Sequence, residues 1–117
     1  MTDKMKPYDL EERTFEFARD CRIIMSKLPK TIANIEDGKQ LIRSSGSVGA
    51  NYIEANEKLG DKDFSFRLKI ARKEAKESAY WLKLLKSSNN NLELEIDKVL
   101  KEAEELRKIL SAILKKY

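Results

Sequence analysis

Histidine is absent from the sequence, and with it go the commonest general base and the commonest metal ligand. The Glu-x-x-His pairs that build di-iron sites inside helical bundles are therefore excluded. Cys21 is the only cysteine, so no intrachain disulfide can form, which fits a reducing compartment and points to the cytoplasm. No histidine stands ready to activate that thiol, and its place in an apolar stripe makes it a packing residue. Neither GxGxxG nor a phosphate-cradling GxxxxGK loop occurs, and Glu104 and Glu105, adjacent on a helix, point about 100° apart and cannot face one substrate. The sequence thus implies no cofactor, no metal and no catalytic site. No apolar run approaches the roughly 20 residues that cross a bilayer, and the charged opening MTDKMKPYDLEER has no signal-peptide core. The expectation is a protein neither exported nor inserted in a membrane.

Prolines and glycines are few, two and four in 117 residues, while 38% of the chain is charged. The charges alternate with apolar residues at helical intervals throughout, without strand-like alternation or internal repeats. One domain over residues 1–117 is expected, with four helices at about 9–28, 31–59, 61–86 and 91–116. Asp9 and Glu12 read as a capping box for the first, whose buried stripe is Leu10, Thr14, Phe17, Cys21, Met25 and Leu28 before Pro29 breaks it. Ile32, Ile35, Leu41, Ser45, Val48, Tyr52, Ala55 and Leu59 form the second stripe, closed by Gly60. Asp61 is expected to cap the third, with Phe64, Leu68, Ala71, Ala75, Ser78, Leu82 and Leu85 inward. Asn90 and Glu93 would cap the fourth, with Leu92, Ile96, Val99, Ala103, Leu106, Leu110, Ile113 and Tyr117 on one face. Short connections make neighbours antiparallel, so the expected fold is all-α, an up-down-up-down four-helix bundle.

Two features exceed what such a bundle requires. Phe66, Ile70, Trp81 and Leu84 flank the core stripe of helix three, and Leu94, Leu100, Ile109 and Leu114 lie off the main face of helix four. They either widen the core or form a self-association surface, and we expect the latter. The second feature is charge. Residues 61–86 hold eight Lys or Arg and four Asp or Glu, while the rest of the chain is balanced, so the net charge of +4 belongs to helix three. Lys62, Lys69, Arg72, Lys73, Lys76 and Lys83 fall within about 100° of arc opposite its core stripe. Such a ridge is either a solvated face or a surface for the phosphates of RNA or DNA.

Gly46 and Gly49 sit inside helix two, where each costs roughly 1 kcal/mol relative to alanine, and close approach of another helix would offset that cost. Arg43, Ser47, Asn51 and Glu54 share one flank of the same helix. The segment IRSSGSVGANYIEANE, followed by KDFSFRLKIARKEAKESAYWLKLL, resembles the four-helix-bundle proteins encoded in intervening sequences of bacterial 23S ribosomal RNA genes. The match is sharpest over the S-x-x-x-N-x-x-E pattern at Ser47, Asn51 and Glu54, and the stretches around Asp63 and Phe64 and from Glu74 to Leu82 also match. The resemblance implies a left-handed bundle assembling as a ring-like homopentamer. Related accessory proteins of diversity-generating retroelements engage nucleic acid and reverse transcriptase through a basic surface, which makes RNA, DNA or a protein the expected partner.

Read from their own chemistry, Asn51, Glu54, Arg67, Glu74 and Glu77 either pair within or between subunits, with Arg67 and Glu74 the candidate ion pair, or line a polar ligand pocket. The function expected is a non-catalytic oligomeric accessory factor that binds nucleic acid through helix three. The alternative is a self-assembling scaffold.

Overall fold

The structure, a computed structural model, describes residues 7–57 and 59–116. It holds four α-helices, α1 (Pro7–Lys27), α2 (Ile32–Ala55), α3 (Asp61–Ser88) and α4 (Glu93–Leu114), with a 3-10 turn, Asn90–Leu92, before the last. Among the described residues there is no strand. Helix α1 packs against α2 and α4, and α3 also packs against α2 and α4, while among the described residues the backbones of α1 and α3 stay apart across the core.

The ends of the helices show where local chemistry differs from expectation. Because α1 already includes Pro7, Asp9 falls inside the helix and is not its cap. The side chain of Asp9 lies outside the described residues, as does Tyr117. Thr31 caps α2, its side chain accepting a bond from the amide of Asn34 at 3.1 Å. Helix α2 stops at Ala55, where the Asn56 amide reaches back to both Tyr52 and Ile53, so Leu59 lies beyond the helix and is exposed. Gly60, not Asp61, occupies the cap of α3, with φ at +134°, a conformation that side-chain-bearing residues rarely adopt. The expected Asn90–Glu93 capping pair is replaced by the 3-10 turn, and α4 starts without a side-chain cap.

The core follows the expected stripes along α1, α3 and α4 and the second half of α2. Leu10, Phe17, Leu41, Leu68, Leu82 and Leu106 are fully buried. The first turns of α2 differ: Ile32 is 83% exposed and Ile35 is also exposed, while Asn34 and Gly38 face inward. Counting back from Leu41 by three and then four reaches Gly38 and Asn34, so the burial keeps strict helical spacing. What draws Asn34 in is a reciprocal amide pair with the buried Asn89, at 3.0 and 2.9 Å. Each amide also donates to a carbonyl, Asn34 to Pro29 and Asn89 to Leu85. Polar groups bonded in this way escape the cost of burial.

Leu100 is buried, and Ile109 and Leu114 pack against the core, so three of the four apolar residues expected off the main face of α4 widen its core stripe. Leu94 remains 87% exposed. The glycine expectation holds at one position. A Cβ at Gly49 would lie 2.9 Å from Thr14 Oγ1 and 3.2 Å from Thr14 Cβ, so α1 and α2 approach closely there. Further ties between helices come from Ser44 and Ser78, 2.8 Å apart and buried, from Arg13 and Glu102, and from Lys27 and Glu95 at 2.8 Å.

Candidate nucleic-acid interface

Burial of Leu68, Ala71, Ala75, Leu82 and Leu85 fixes the rotation of α3 about its axis. Its opposite side is thereby turned outward. Lys62, Lys69, Lys73, Lys76 and Lys83 are exposed and Arg72 is half-buried. Among the described residues none of these six is in an ion pair. The two other bases of the helix differ: Arg67 lies 3.7 Å from Asp63, and Lys86 bonds Asp97 at 2.9 Å. That hydrogen bond, reinforced by the opposite charges, raises the Lys86 ammonium and lowers the Asp97 carboxyl from their ordinary values. The uncompensated positive charge of α3 is therefore concentrated on the ridge, where it is available to an anion.

Two aromatic rings share that side of the helix. Phe66 borders a shallow hollow of about 310 Å³ lined also by Asp61, Lys62, Ser65 and Lys69. Tyr80 is exposed, and its ring meets Trp81 edge to face, with centroids 5.1 Å apart and planes at 72°. Trp81 itself is half-buried against the core.

The polar residues of the α2 flank are partly brought together. Arg43 spans two acids of α3, reaching Glu74 at 3.4 Å and Glu77 at 3.0 Å. Glu74 is only 6% exposed, so its carboxylate depends on that neighbour. Asn51 donates to the backbone and the hydroxyl of Ser47, both at 2.9 Å, and so belongs to its own helix. Glu54 is exposed and in no ion pair among the described residues. The expected Arg67–Glu74 pair does not form: Arg67 turns to Asp63, one turn before it, and Glu74 to Arg43 across the helix interface. Nε of Arg67 and Nε1 of Trp81 are buried without a hydrogen-bond acceptor among the described residues.

Of the self-association candidates, Phe66 is exposed, whereas Ile70, Trp81 and Leu84 are half-buried. A more open apolar surface lies between α1 and α2, which sequence reasoning missed. Phe15, Ala18, Gly46, Ala50 and Ile53 line a groove of about 490 Å³, with Glu11, Arg19 and Arg22 among its walls. Phe15 and Ile53 are both exposed, and the Arg19 guanidinium lies 5.9 Å from the Phe15 ring centre. The legible signal was the pair of glycines, which narrow α2 beside two large apolar side chains.

A second groove, between α1 and α4, holds Glu16, Asp20, Glu95 and Glu102 with Arg13 and Lys98. Its acids are not gathered: among the described residues no group of three His, Cys, Asp or Glu could hold a metal ion. Arg13 grips Glu102 with two bonds, at 2.7 and 3.0 Å, and this hydrogen bonding raises its already high pKa. Cys21 is buried, and burial pushes its thiol up to about 12, so it stays protonated and unreactive at neutral pH. Among the described residues no helix is long and apolar enough to cross a membrane.

Comparison with known proteins adds identity to this geometry. A search of curated proteins finds no match. Among solved structures, the chain is similar to a protein of unknown function from the S23 ribosomal protein family of Bacteroides thetaiotaomicron. The TM-score is 0.81 at 29% identity, covering 93% of this chain and 97% of that one. The profile of the family described as 23S rRNA-intervening sequence protein matches residues 7–112. With its four helices in place and nine-tenths of its length matched, the chain belongs to the 23S rRNA-intervening sequence protein family.

Proposed function

We propose that this protein is a non-catalytic, cytoplasmic accessory factor that assembles with its own copies and binds RNA or DNA through the α3 ridge. The observation that carries this reading is the row of six basic side chains on one side of α3, none of them in an ion pair among the described residues. Phosphate contacts from such a row release counterions, so affinity falls steeply as salt rises. The test is titration of mixed-sequence RNA and DNA at low and high salt, with the triple variant Arg72→Glu, Lys73→Glu, Lys76→Glu beside the parent. Salt-sensitive binding that the variant loses is the expected result. Equal binding by parent and variant would refute the assignment to α3.

The fold proposed for this role is an antiparallel up-down-up-down bundle with left-handed packing, assembled as a homopentamer. Contacts made in opposite order along neighbouring helices support the antiparallel arrangement: Arg13 with Glu102 and Lys27 with Glu95, then Asn34 with Asn89 and Ser44 with Ser78. Handedness and the number five rest on the family resemblance.

The exposed groove between α1 and α2 favours a second reading, a scaffold whose partners are its own copies or another protein. Light scattering of the parent and of Phe15→Ser with Ile53→Ser tests the groove as the assembly surface, and the salt titration of nucleic acid separates the two readings. A scaffold would lose its assembly and show no salt-dependent nucleic-acid binding at any stage.

A further inference from the structure

The ridge is not made of charge alone. Phe66 is 58% and Tyr80 57% exposed, both on the outward side of α3. Tyr80 stands eighteen residues, five whole turns, from Lys62 and so leaves the axis in the same direction. Lys69, Lys73 and Lys76 lie between the two rings along the helix. Fourteen residues separate Phe66 from Tyr80, a rise of about 21 Å. Neither ring is where burial would put it, since the core side of α3 is occupied by Leu68, Ala75 and Leu82.

From this we infer that the α3 ridge selects single-stranded nucleic acid, with Tyr80 and Phe66 as stacking platforms for unpaired bases and the intervening lysines on the phosphates. The inference deepens the function proposed above and rests on it. A strand lying along the helix presents two surfaces, its charged backbone and the faces of its bases. Lysines meet the first, and exposed rings meet the second, independently of sequence because every base has a π-face. Paired bases already stack on each other inside a duplex and offer no face to a ring on a convex helix. Tyr80 is also braced, since Trp81 meets it edge to face and is itself half-buried against the core. Phe66 stands over the hollow that Lys62 and Lys69 share, which places one ring and two ammonium groups together.

The chain provides its own reporter, because Trp81 is the only tryptophan and touches the Tyr80 ring. Three probes are titrated at low salt: a short mixed-sequence single strand, a strand of equal length with abasic residues, and the duplex. The base-bearing strand should bind roughly ten-fold more tightly than the abasic strand and change Trp81 emission. Tyr80→Ala should erase that difference, and Tyr80→Phe, which keeps the ring, should preserve it. Phe66→Ala should weaken only the base-bearing strand, and circular dichroism checks that each variant keeps its helices. Equal affinity for base-bearing and abasic strands, lost together in the Arg72, Lys73, Lys76 charge reversal, would overturn stacking while leaving the basic ridge intact. Binding of none of the three probes would overturn both readings.

Discussion

Replacing Gly49 and Gly46 separately with alanine should change stability in opposite directions. Alanine is favoured over glycine within a helix by roughly 1 kcal/mol, and both positions lie inside α2. At Gly46 the added Cβ would meet only the end of the Arg22 side chain, at 3.4 Å, and that flexible tip can move. Gly46→Ala should therefore gain about 0.5–1 kcal/mol. At Gly49 the new methyl would sit 2.9 Å from Thr14 Oγ1 and 3.2 Å from its Cβ. Thr14 is buried, and its hydroxyl is held by the carbonyls of Leu10 and Glu11, so it cannot rotate aside. Overpacking of this kind costs about 1–3 kcal/mol, which exceeds the propensity gain and leaves Gly49→Ala about 1 kcal/mol less stable than the parent. Urea unfolding followed by Trp81 fluorescence at fixed protein concentration measures both. If the two variants were stabilised equally, the close approach of α1 and α2 at Thr14 would be refuted. Adding Thr14→Ala to Gly49→Ala should recover part of the loss, because the nearest atom is then gone.

Other consequences follow from burial. Asn34→Ala or Asn89→Ala should each cost about 1–3 kcal/mol, since each strands a buried amide, and the double variant should cost less than the sum of the two in the same urea assay. Leu100→Ala should cost about 2–5 kcal/mol while Leu94→Ser stays within about 0.5 kcal/mol of the parent, the two leucines having opposite burial. The Cys21 thiol should resist alkylation in the folded protein and react once urea unfolds it. Its folded pKa, near 12, lies above the value of 9.0 for a free thiol, so folding holds a proton that the unfolded chain releases. That contribution is fully present below pH 9 and declines above it, by at most about 1.4 kcal/mol per pH unit, so Cys21→Ser should flatten the alkaline limb of the stability curve.

Much of the fold was legible because four long stripes of apolar residues leave little choice of rotation. Helix three shows this best: every inward residue assigned by spacing, from Phe64 to Leu85, lies in the core or packs against it. Spacing failed where burial was not decided by apolarity. Ile32 and Ile35 read as core residues, yet two asparagines distant in sequence take that end of α2 through a paired amide that no single helix reveals. Helix ends failed for a related reason. Asp61 and Asn90 are good capping residues, but Gly60 and the 3-10 turn satisfy the geometry of the connections instead. On the candidate site, the wheel located the six basic residues of α3, whereas it could not distinguish Arg43 from Arg67 as the partner of Glu74. That choice depends on which neighbour lies across the helix interface.

The separation of the two exposed surfaces bears on how binding and assembly could coexist. The groove that offers Phe15 and Ile53 is built by α1 and α2, while the ridge belongs to α3 and lies opposite its buried side. A copy docked over the groove would cover the α1–α2 side and leave the outward side of α3 open. Each added subunit would then bring another six basic residues, so the affinity of an assembly for a long strand would rise through effective concentration without any new kind of contact. This ordering makes a distinct demand on the variants. Phe15→Ser with Ile53→Ser should abolish assembly yet retain weak binding of a short strand by the isolated subunit. The charge reversal at Arg72, Lys73 and Lys76 should do the opposite, keeping the assembly and losing the strand. Loss of both properties in either variant would mean that one surface serves both purposes, and the division of labour between α1–α2 and α3 would fail.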